Sequence, residues 1–130
     1  MQRVVITGAG TVNPLGHDVA TTYAALRAGT CAIGPIEVAD GDRLQVKIGA
    51  QVTGWTPDFE RADLIWMDPF AQYAVASARQ AMAQAALVAP EAGVILGSAG
   101  GGLQTVDDTY RAVFAQGKTR VHPFTVSRLM

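Results

Sequence analysis

GVILGSAGGG, at Gly93–Gly102, is the clearest indication of fold class in this chain. The apolar residues Val94–Leu96, bounded by glycines, predict a short strand that is buried on both faces. Glycine tolerates positive φ and lets other groups approach the main chain closely. The following glycines therefore predict a turn whose backbone is not covered by side chains. A helical pattern begins at Leu103. A strand, a turn and a helix N-terminus in this order are typical of an α/β sheet, which places ligands at such turns; the alternative is a tight turn that binds nothing.

The composition excludes several classes of protein. The 130 residues are 49% hydrophobic and 16% charged, against about 25% charged in an average domain, which indicates surface hidden by an interface or by further chain. A net charge of -1 without runs of like charge predicts no nucleic-acid partner. No segment has the ~18 apolar residues of a membrane span, and no signal peptide precedes the first strand. A single cysteine excludes an internal disulfide, so we expect a cytoplasmic protein.

A second glycine turn lies near the N-terminus. Arg3–Thr7 is predicted to be a buried strand that ends at Gly8-Ala9-Gly10. This opening is typical of dinucleotide-binding domains, but their G-x-G-x-x-G fingerprint requires glycine where this chain has Asn13. Pro14 then stands where the phosphate-binding helix would already be running. We therefore expect the two glycines to serve turn geometry and close packing.

Three amphipathic helices are predicted, over residues 18–29, 68–87 and 103–117. Asp18 is an N-cap for the first, and Asp68, followed by proline at the first helical position, is an N-cap for the second. The second helix is rich in alanine, which predicts close packing inside a layered domain. Each of the other two closes at a glycine.

The remaining segments are predicted from shorter patterns. Leu44–Thr53 alternates apolar and polar residues, which predicts an antiparallel strand with one wet face. His122–Val126 is predicted to be extended. Cys31 is interpreted as a small buried thiol rather than a nucleophile. His122 is interpreted as a loop histidine, because His17 and Cys31 do not supply a metal site with it at ligand spacing. We expect no metal site.

Four segments, in order, resemble the N-terminal motifs of beta-ketoacyl-acyl-carrier-protein synthases, the elongating condensing enzymes. Together they span essentially the whole chain. They are Val4–Gly16, Ala25–Gly29, Met67–Ala74, and Gly97–Gly102 with the later Pro123-Phe124.

The resemblance implies an α/β, thiolase-like fold, of which this chain is the first part of the N-terminal βαβαβαββ half. It implies decarboxylative Claisen condensation of an acyl thioester with malonyl-carrier protein, in fatty-acid or polyketide synthesis. The implied partners are acyl-carrier protein, with its acyl and malonyl thioesters, and a second copy in a homodimer. No cofactor is implied.

The family's nucleophilic cysteine follows the Pro-Phe segment, and its catalytic histidines and lysine come later. None of these aligns with a residue up to Met130. We therefore expect residues 1–130 to be the N-terminal portion of a ketoacyl synthase N-terminal domain, truncated before the cysteine and inactive alone. A non-catalytic partner subunit, similar to a chain-length factor, is the alternative.

The resemblance also implies an acyl pocket lined by the glycine loop. Its members in this chain are Gly97, Ser98 and Gly100, and Thr125 is a further lining position contributed across the dimer. Position 100 commonly carries a bulky apolar gate in the family, and position 125 is often phenylalanine. Glycine and threonine at these positions predict a wider pocket that admits longer acyl chains.

Overall fold

The computed structural model describes residues 3–86 and 92–130, which form two compact units. Of the described residues, the first unit comprises 3–56 and 76–86, and the second comprises 57–75 and 92–130. The elements, in chain order, are α1 (Val19–Arg27), β1 (Ile33–Pro35), a 3₁₀ turn (Gly41–Arg43), β2 (Ile48–Ala50), α2 (Arg61–Leu64), α3 (Pro69–Ala85), α4 (Leu103–Tyr110), a π-helical turn (Arg111–Ala115) and α5 (Thr125–Leu129).

Helix α1 begins and ends as predicted. Asp18 is the N-cap, and its Oδ1 accepts from the backbone N–H of Thr21 at 2.7 Å. This hydrogen bond holds the pKa of the Asp18 carboxyl below its ordinary value. Arg27 lies in the last turn, where a cation suits the helix dipole. Gly29 follows with φ of +69°, the left-handed conformation that glycine adopts at a helix C-terminus.

The two strands form an antiparallel ribbon in the first unit. Ile33 pairs with Ala50, Gly34 with Gly49, and Pro35 with Ile48. The predicted antiparallel strand within Leu44–Thr53 therefore exists, but it is shorter than the alternating pattern. The apolar residues of the alternating pattern were expected to form a buried face. Their side chains are mostly exposed, so the prediction that only one face is exposed was wrong.

The two strands predicted to be buried on both faces are not observed as strands. Residues 3–7 and 93–97 make no strand pairing with any described residue. Val4 and Ile95 are almost fully exposed. The physical reason is that a strand needs hydrogen-bonded neighbours on its flanks, and the described residues supply none to these segments. Burial of these apolar residues is favourable, but the described residues do not cover them.

Helix α3 begins at Pro69, directly after Asp68, and its described part ends at Ala85. The predicted last residue, Leu87, lies outside the described residues. In the second unit, α4 begins at Leu103 as predicted and runs into the π-helical turn; Gly117 follows with φ of +63°.

The prediction of an extended segment at His122–Val126 was wrong from Thr125 onward, where α5 begins. Pro123 precedes this helix and restricts the backbone there. The N–H and Oγ1 of Thr125 both donate to the carbonyl of His122. No described helix is long and apolar enough to cross a membrane.

Candidate functional site

The first glycine turn packs directly on α3 within the first unit. A Cβ added to Gly8 would overlap the carbonyl oxygen of Ala81, and one added to Gly10 would overlap that of Ser77. Any side chain at either position would therefore have to displace helix backbone. This contact confirms the prediction that the two glycines serve close packing.

The backbone N–H groups of this turn are occupied by two glutamines of α3. Gln84 Oε1 accepts from Ala9 N–H at 2.7 Å, and Gln80 Oε1 accepts from Thr11 N–H at 3.0 Å. Gln80 Nε2 donates to the carbonyl of His17 at 2.7 Å. A phosphate site would need such amides free and pointing at the ligand. The backbone N–H groups of Ala9 and Thr11 are therefore bound to glutamine side chains and are not free to bind a phosphate. This gives the turn a structural role.

The residue that breaks the fingerprint builds the turn instead. Asn13 Nδ2 donates to the hydroxyls of Thr11 and Thr22, each at 2.9 Å, and Asn13 Oδ1 accepts from Leu15 N–H at 2.8 Å. Backbone hydrogen bonds join Asn13 and Gly16 in both directions. The amide side chain thus ties the turn to α1, which carries Thr22.

The second glycine loop, Gly97–Gly102, packs on the C-terminal end of α5 in the second unit. Added Cβ atoms on Gly101 and Gly102 would overlap the carbonyl oxygens of Leu129 and Arg128. Gly101 has φ of +56°, so this position favours glycine for its conformation as well. The last two glycines of the loop therefore allow its backbone to pack closely against the carbonyls of α5.

The amides of this loop are also bonded internally. Gly101 N–H donates to Ser98 Oγ at 2.9 Å, and Gly102 N–H donates to the Leu129 carbonyl at 3.1 Å. Leu103 N–H donates to the carbonyl of Gly101 at 3.0 Å. These three donors hold the loop in shape.

Asp68 caps α4 as well as α3. The N-cap residue of α4 is Gly102, which has no side chain to offer. Asp68 Oδ2 accepts from both the backbone N–H and the Oγ1 of Thr105, each at 2.7 Å. Thr105 is the third residue of α4, whose N–H a capping side chain normally binds. Asp68 and Thr105 are only 2% and 5% exposed, so this is the most deeply buried contact between polar side chains in the described residues.

An aromatic contact also lies in the second unit. The rings of Trp66 and Phe124 have centroids 3.6 Å apart and an interplanar angle of 36°. His122 Nδ1 accepts from Phe124 N–H at 3.2 Å. Trp66 thus packs on Phe124, and His122 is a hydrogen-bonded loop histidine, as predicted.

A cleft of about 220 Å³ lies between α4, α5 and the segment that joins them. Its lining is basic on balance: Lys118, Arg120 and Arg128 contribute cations, and Asp108 is the one acidic residue among those that line it. Arg128 Nε is buried and makes no hydrogen bond within the described residues. The cleft therefore offers positive charge to an anionic group.

The predicted acyl-pocket residues do not share one cavity in the described residues. Gly97, Ser98 and Gly100 lie in the exposed loop, whereas Thr125 lines the cleft. A Cβ on Gly100 would lie 2.6 Å from Leu103 Cδ1, so the tip of Leu103 already occupies that space. Whether these four residues line an acyl pocket remains a proposal.

Cys31 is exposed, so the prediction of a buried thiol was wrong. It lies between α1 and β1, where the described chain packs nothing over it. Within residues 3–86 and 92–130, no three His, Cys, Asp or Glu side chains are placed to hold one metal ion. The role of Gln80 and Gln84 was not predicted, although their spacing of four residues places them on one face of α3.

Comparison with known proteins shows a consistent set of relatives. Residues 1–129 match the family described as Beta-ketoacyl synthase, N-terminal domain. A 3-oxoacyl-[acyl-carrier-protein] synthase 2 of Coxiella burnetii is 35% identical over 132 residues, which cover 96% of this chain and 32% of that protein.

Two solved structures are similar in fold. A beta-ketoacyl synthase from Burkholderia phymatum STM815 has a TM-score of 0.77 at 28% identity, covering 100% of this chain and 34% of its own. The ishigamide ketosynthase/chain length factor has a TM-score of 0.76 at 28% identity, covering 97% and 33%. The chain thus spans about a third of the length of these relatives.

Proposed function

The chain belongs to the beta-ketoacyl synthase family and has its thiolase-like α/β fold, and from this premise we propose that it is the N-terminal portion of a condensing enzyme. The reaction is decarboxylative Claisen condensation in fatty-acid or polyketide synthesis. The match over residues 1–129, which keeps the family's motifs in order, is the observation that carries the proposal.

The proposed reaction needs groups that these residues do not supply. A cysteine thiolate takes the acyl group from a carrier thioester, and malonyl-carrier protein loses CO₂ to give an enolate. The enolate carbon attacks the enzyme-bound acyl carbonyl, a C–C bond forms, and the C–S bond to the cysteine breaks. Cys31, His17 and His122 do not align with the family's catalytic residues, so we propose that residues 1–130 alone are inactive.

We assign the described residues a supporting role in that reaction. Gly97, Ser98 and Gly100, together with Thr125, are proposed to line the acyl pocket. Leu103 moderates the expected widening, because its side chain occupies the space that a larger residue at position 100 would fill. A hydrophobic pocket of this kind discriminates by about 1–3 kcal/mol per methylene group.

We further propose that acyl-carrier protein approaches the basic cleft between α4 and α5. Three cations and one carboxylate line it, and complementary charge of this kind steers an anionic partner and speeds its association. Homodimerisation is also proposed. Its support is the resemblance to the condensing enzymes, which implies a second copy in a homodimer.

A non-catalytic partner subunit is the second candidate. It is favoured by one observation, the similarity to a ketosynthase/chain length factor. Such a subunit would shape the acyl tunnel of a synthase without forming a covalent intermediate.

The test is a condensation assay on the complete protein of which these residues are part. It is incubated with an acyl-carrier thioester and malonyl-carrier protein, and the carrier-bound products are identified by mass spectrometry. The proposal expects a β-ketoacyl product two carbons longer, and no product from residues 1–130 alone. A complete protein that makes none, yet changes the product length of a separate active synthase, supports the partner subunit instead.

A further inference from the structure

The buried contact between Asp68 and Thr105 has a consequence for the glycine loop. Asp68 ends the segment before α3, where its own carbonyl accepts from Ala71 and Gln72 N–H as the first bonds of that helix. Its carboxylate accepts two hydrogen bonds from Thr105 at the N-terminus of α4. One residue therefore contributes to the start of two helices, through its carbonyl in α3 and its carboxylate in α4.

The position of the acceptor matters because α4 cannot cap itself. With glycine at the N-cap, the N–H of Thr105 has no local side-chain partner, and a buried N–H without a partner destabilises the folded state. A carboxylate is well suited here, since negative charge is stabilised at the positive end of a helix dipole. At 2% exposure, Asp68 has little water to bind instead.

These contacts fix the C-terminal end of the loop, where it leads into α4. The Gly101 and Gly102 backbone packs on the carbonyls of α5, and Gly102 N–H donates to Leu129. Three residues further along the chain, Asp68 holds Thr105. A movement of α4 relative to Asp68 therefore shifts Gly101 and Gly102 and, through them, the direction in which Gly97–Gly100 runs.

We propose that Asp68 is a positioning residue: by capping α4 through Thr105, it sets the path of Gly97–Gly102 and thereby the acyl lengths that the enzyme accepts. The inference rests on the proposed function, in which this loop lines the acyl pocket. Asp68 touches no reacting atom and acts through Thr105 and the loop.

The test uses the complete protein with Asp68→Ala, Thr105→Val and Thr105→Ser. Thr105→Val removes only the hydroxyl bond and Thr105→Ser retains it, so this pair remains informative if Asp68→Ala does not fold. Asp107→Ala is the control, since Asp107 lies on α4 but is exposed and pairs with Arg111. Two properties are measured: amide hydrogen exchange over residues 101–106, and the ratio of kcat/KM for long and short acyl substrates.

Asp68→Ala is expected to speed exchange at the Thr105 amide by about tenfold, because the acceptor of that N–H is removed. The long-to-short ratio is expected to change by about tenfold, comparable to one methylene group in a pocket. Thr105→Val should shift the exchange rate and the long-to-short ratio in the same directions as Asp68→Ala does. Thr105→Ser should leave both near their wild-type values.

Faster exchange with an unchanged ratio overturns the proposal, because Asp68 would then be structural only. Unchanged exchange in Asp68→Ala overturns it as well, since the carboxylate would then not protect the Thr105 amide. If the wild-type protein elongates no acyl thioester, the proposed function fails and acyl selection fails with it. The exchange measurement separates that outcome from a failure of the cap itself.

Discussion

Substitution of Gly10 by alanine tests the packing of the first glycine turn. The added methyl group would overlap the backbone carbonyl of Ser77 and lie 2.8 Å from Gln80 Cβ. A backbone carbonyl cannot rotate away as a side chain can. Either α3 or the turn must therefore move.

The expected decrease in the free energy of unfolding follows from the two contacts that the added methyl group would disturb. Overpacking against a well-packed neighbour costs about 1–3 kcal/mol. Movement of the turn would also weaken the hydrogen bond from Thr11 N–H to Gln80, which contributes about 0.5–1.5 kcal/mol. With a urea m-value of about 2 kcal/mol per molar, a loss of about 2 kcal/mol lowers the unfolding midpoint by about 1 M.

The assay is urea unfolding of the wild type, Gly10→Ala and a control, Gly34→Ala. Gly34 lies in β1, has no heavy atom within 4 Å of an added Cβ and has no positive φ. Alanine there should be neutral or stabilising by about 0.5 kcal/mol, because glycine weakens a strand. A Gly10→Ala protein as stable as the wild type would refute the packing argument. Saturable NAD(H) binding to the wild type, lost in Gly10→Ala, would refute the structural role of the turn.

Gln80→Ala removes two partly buried hydrogen bonds and is expected to cost about 1–3 kcal/mol in urea unfolding; an unchanged midpoint would contradict this. The Asp18 carboxyl has its pKa lowered in the folded state by the Thr21 amide, so its cap stabilises α1 above the unfolded pKa and is lost as pH falls through the folded value. An NMR titration of the Thr21 amide should therefore have its midpoint below 3.8, and a midpoint at or above that value would oppose the cap. Lys118→Glu in the complete protein should raise KM for the carrier substrate by about three- to tenfold and reduce its salt dependence. Arg43→Glu, at an exposed position in the first unit, should not; equal effects would argue against the cleft.

The helix boundaries could be predicted because their signals are local. Asp18 binds an amide three residues along the chain, and Gly29 and Gly117 adopt the positive φ that glycine permits. The start of α3 after Asp68 was predicted for the same reason. Each of these features depends on residues within one turn of the helix.

The strands could not be predicted in the same way because their pairing is non-local. Val94–Leu96 has the composition of a buried strand, yet it pairs with no described residue and is exposed. The same distinction applies to Cys31, whose exposure depends on what packs over it rather than on its neighbours in sequence. Apolar composition indicates that burial is favourable, but not which segment provides it.

The candidate site was predicted in part. The prediction that Gly8 and Gly10 serve close packing was confirmed, and the amides of Ala9 and Thr11 are bound by glutamines of α3. The second role of Asp68 was missed, because its partner Thr105 is 37 residues away. A glycine at the N-cap of α4 was the available signal, since such a helix needs its capping group from elsewhere.

We propose that these residues belong to an enzyme that carries an acyl group on a cysteine. The test is the intact mass of the complete protein after incubation with an acyl-carrier thioester, in the absence of malonyl-carrier protein. We expect a mass increase of one acyl group, which hydroxylamine removes and which peptide mass spectrometry maps to a cysteine other than Cys31. An unmodified protein, or acylation at Cys31, would show that the proposal is wrong.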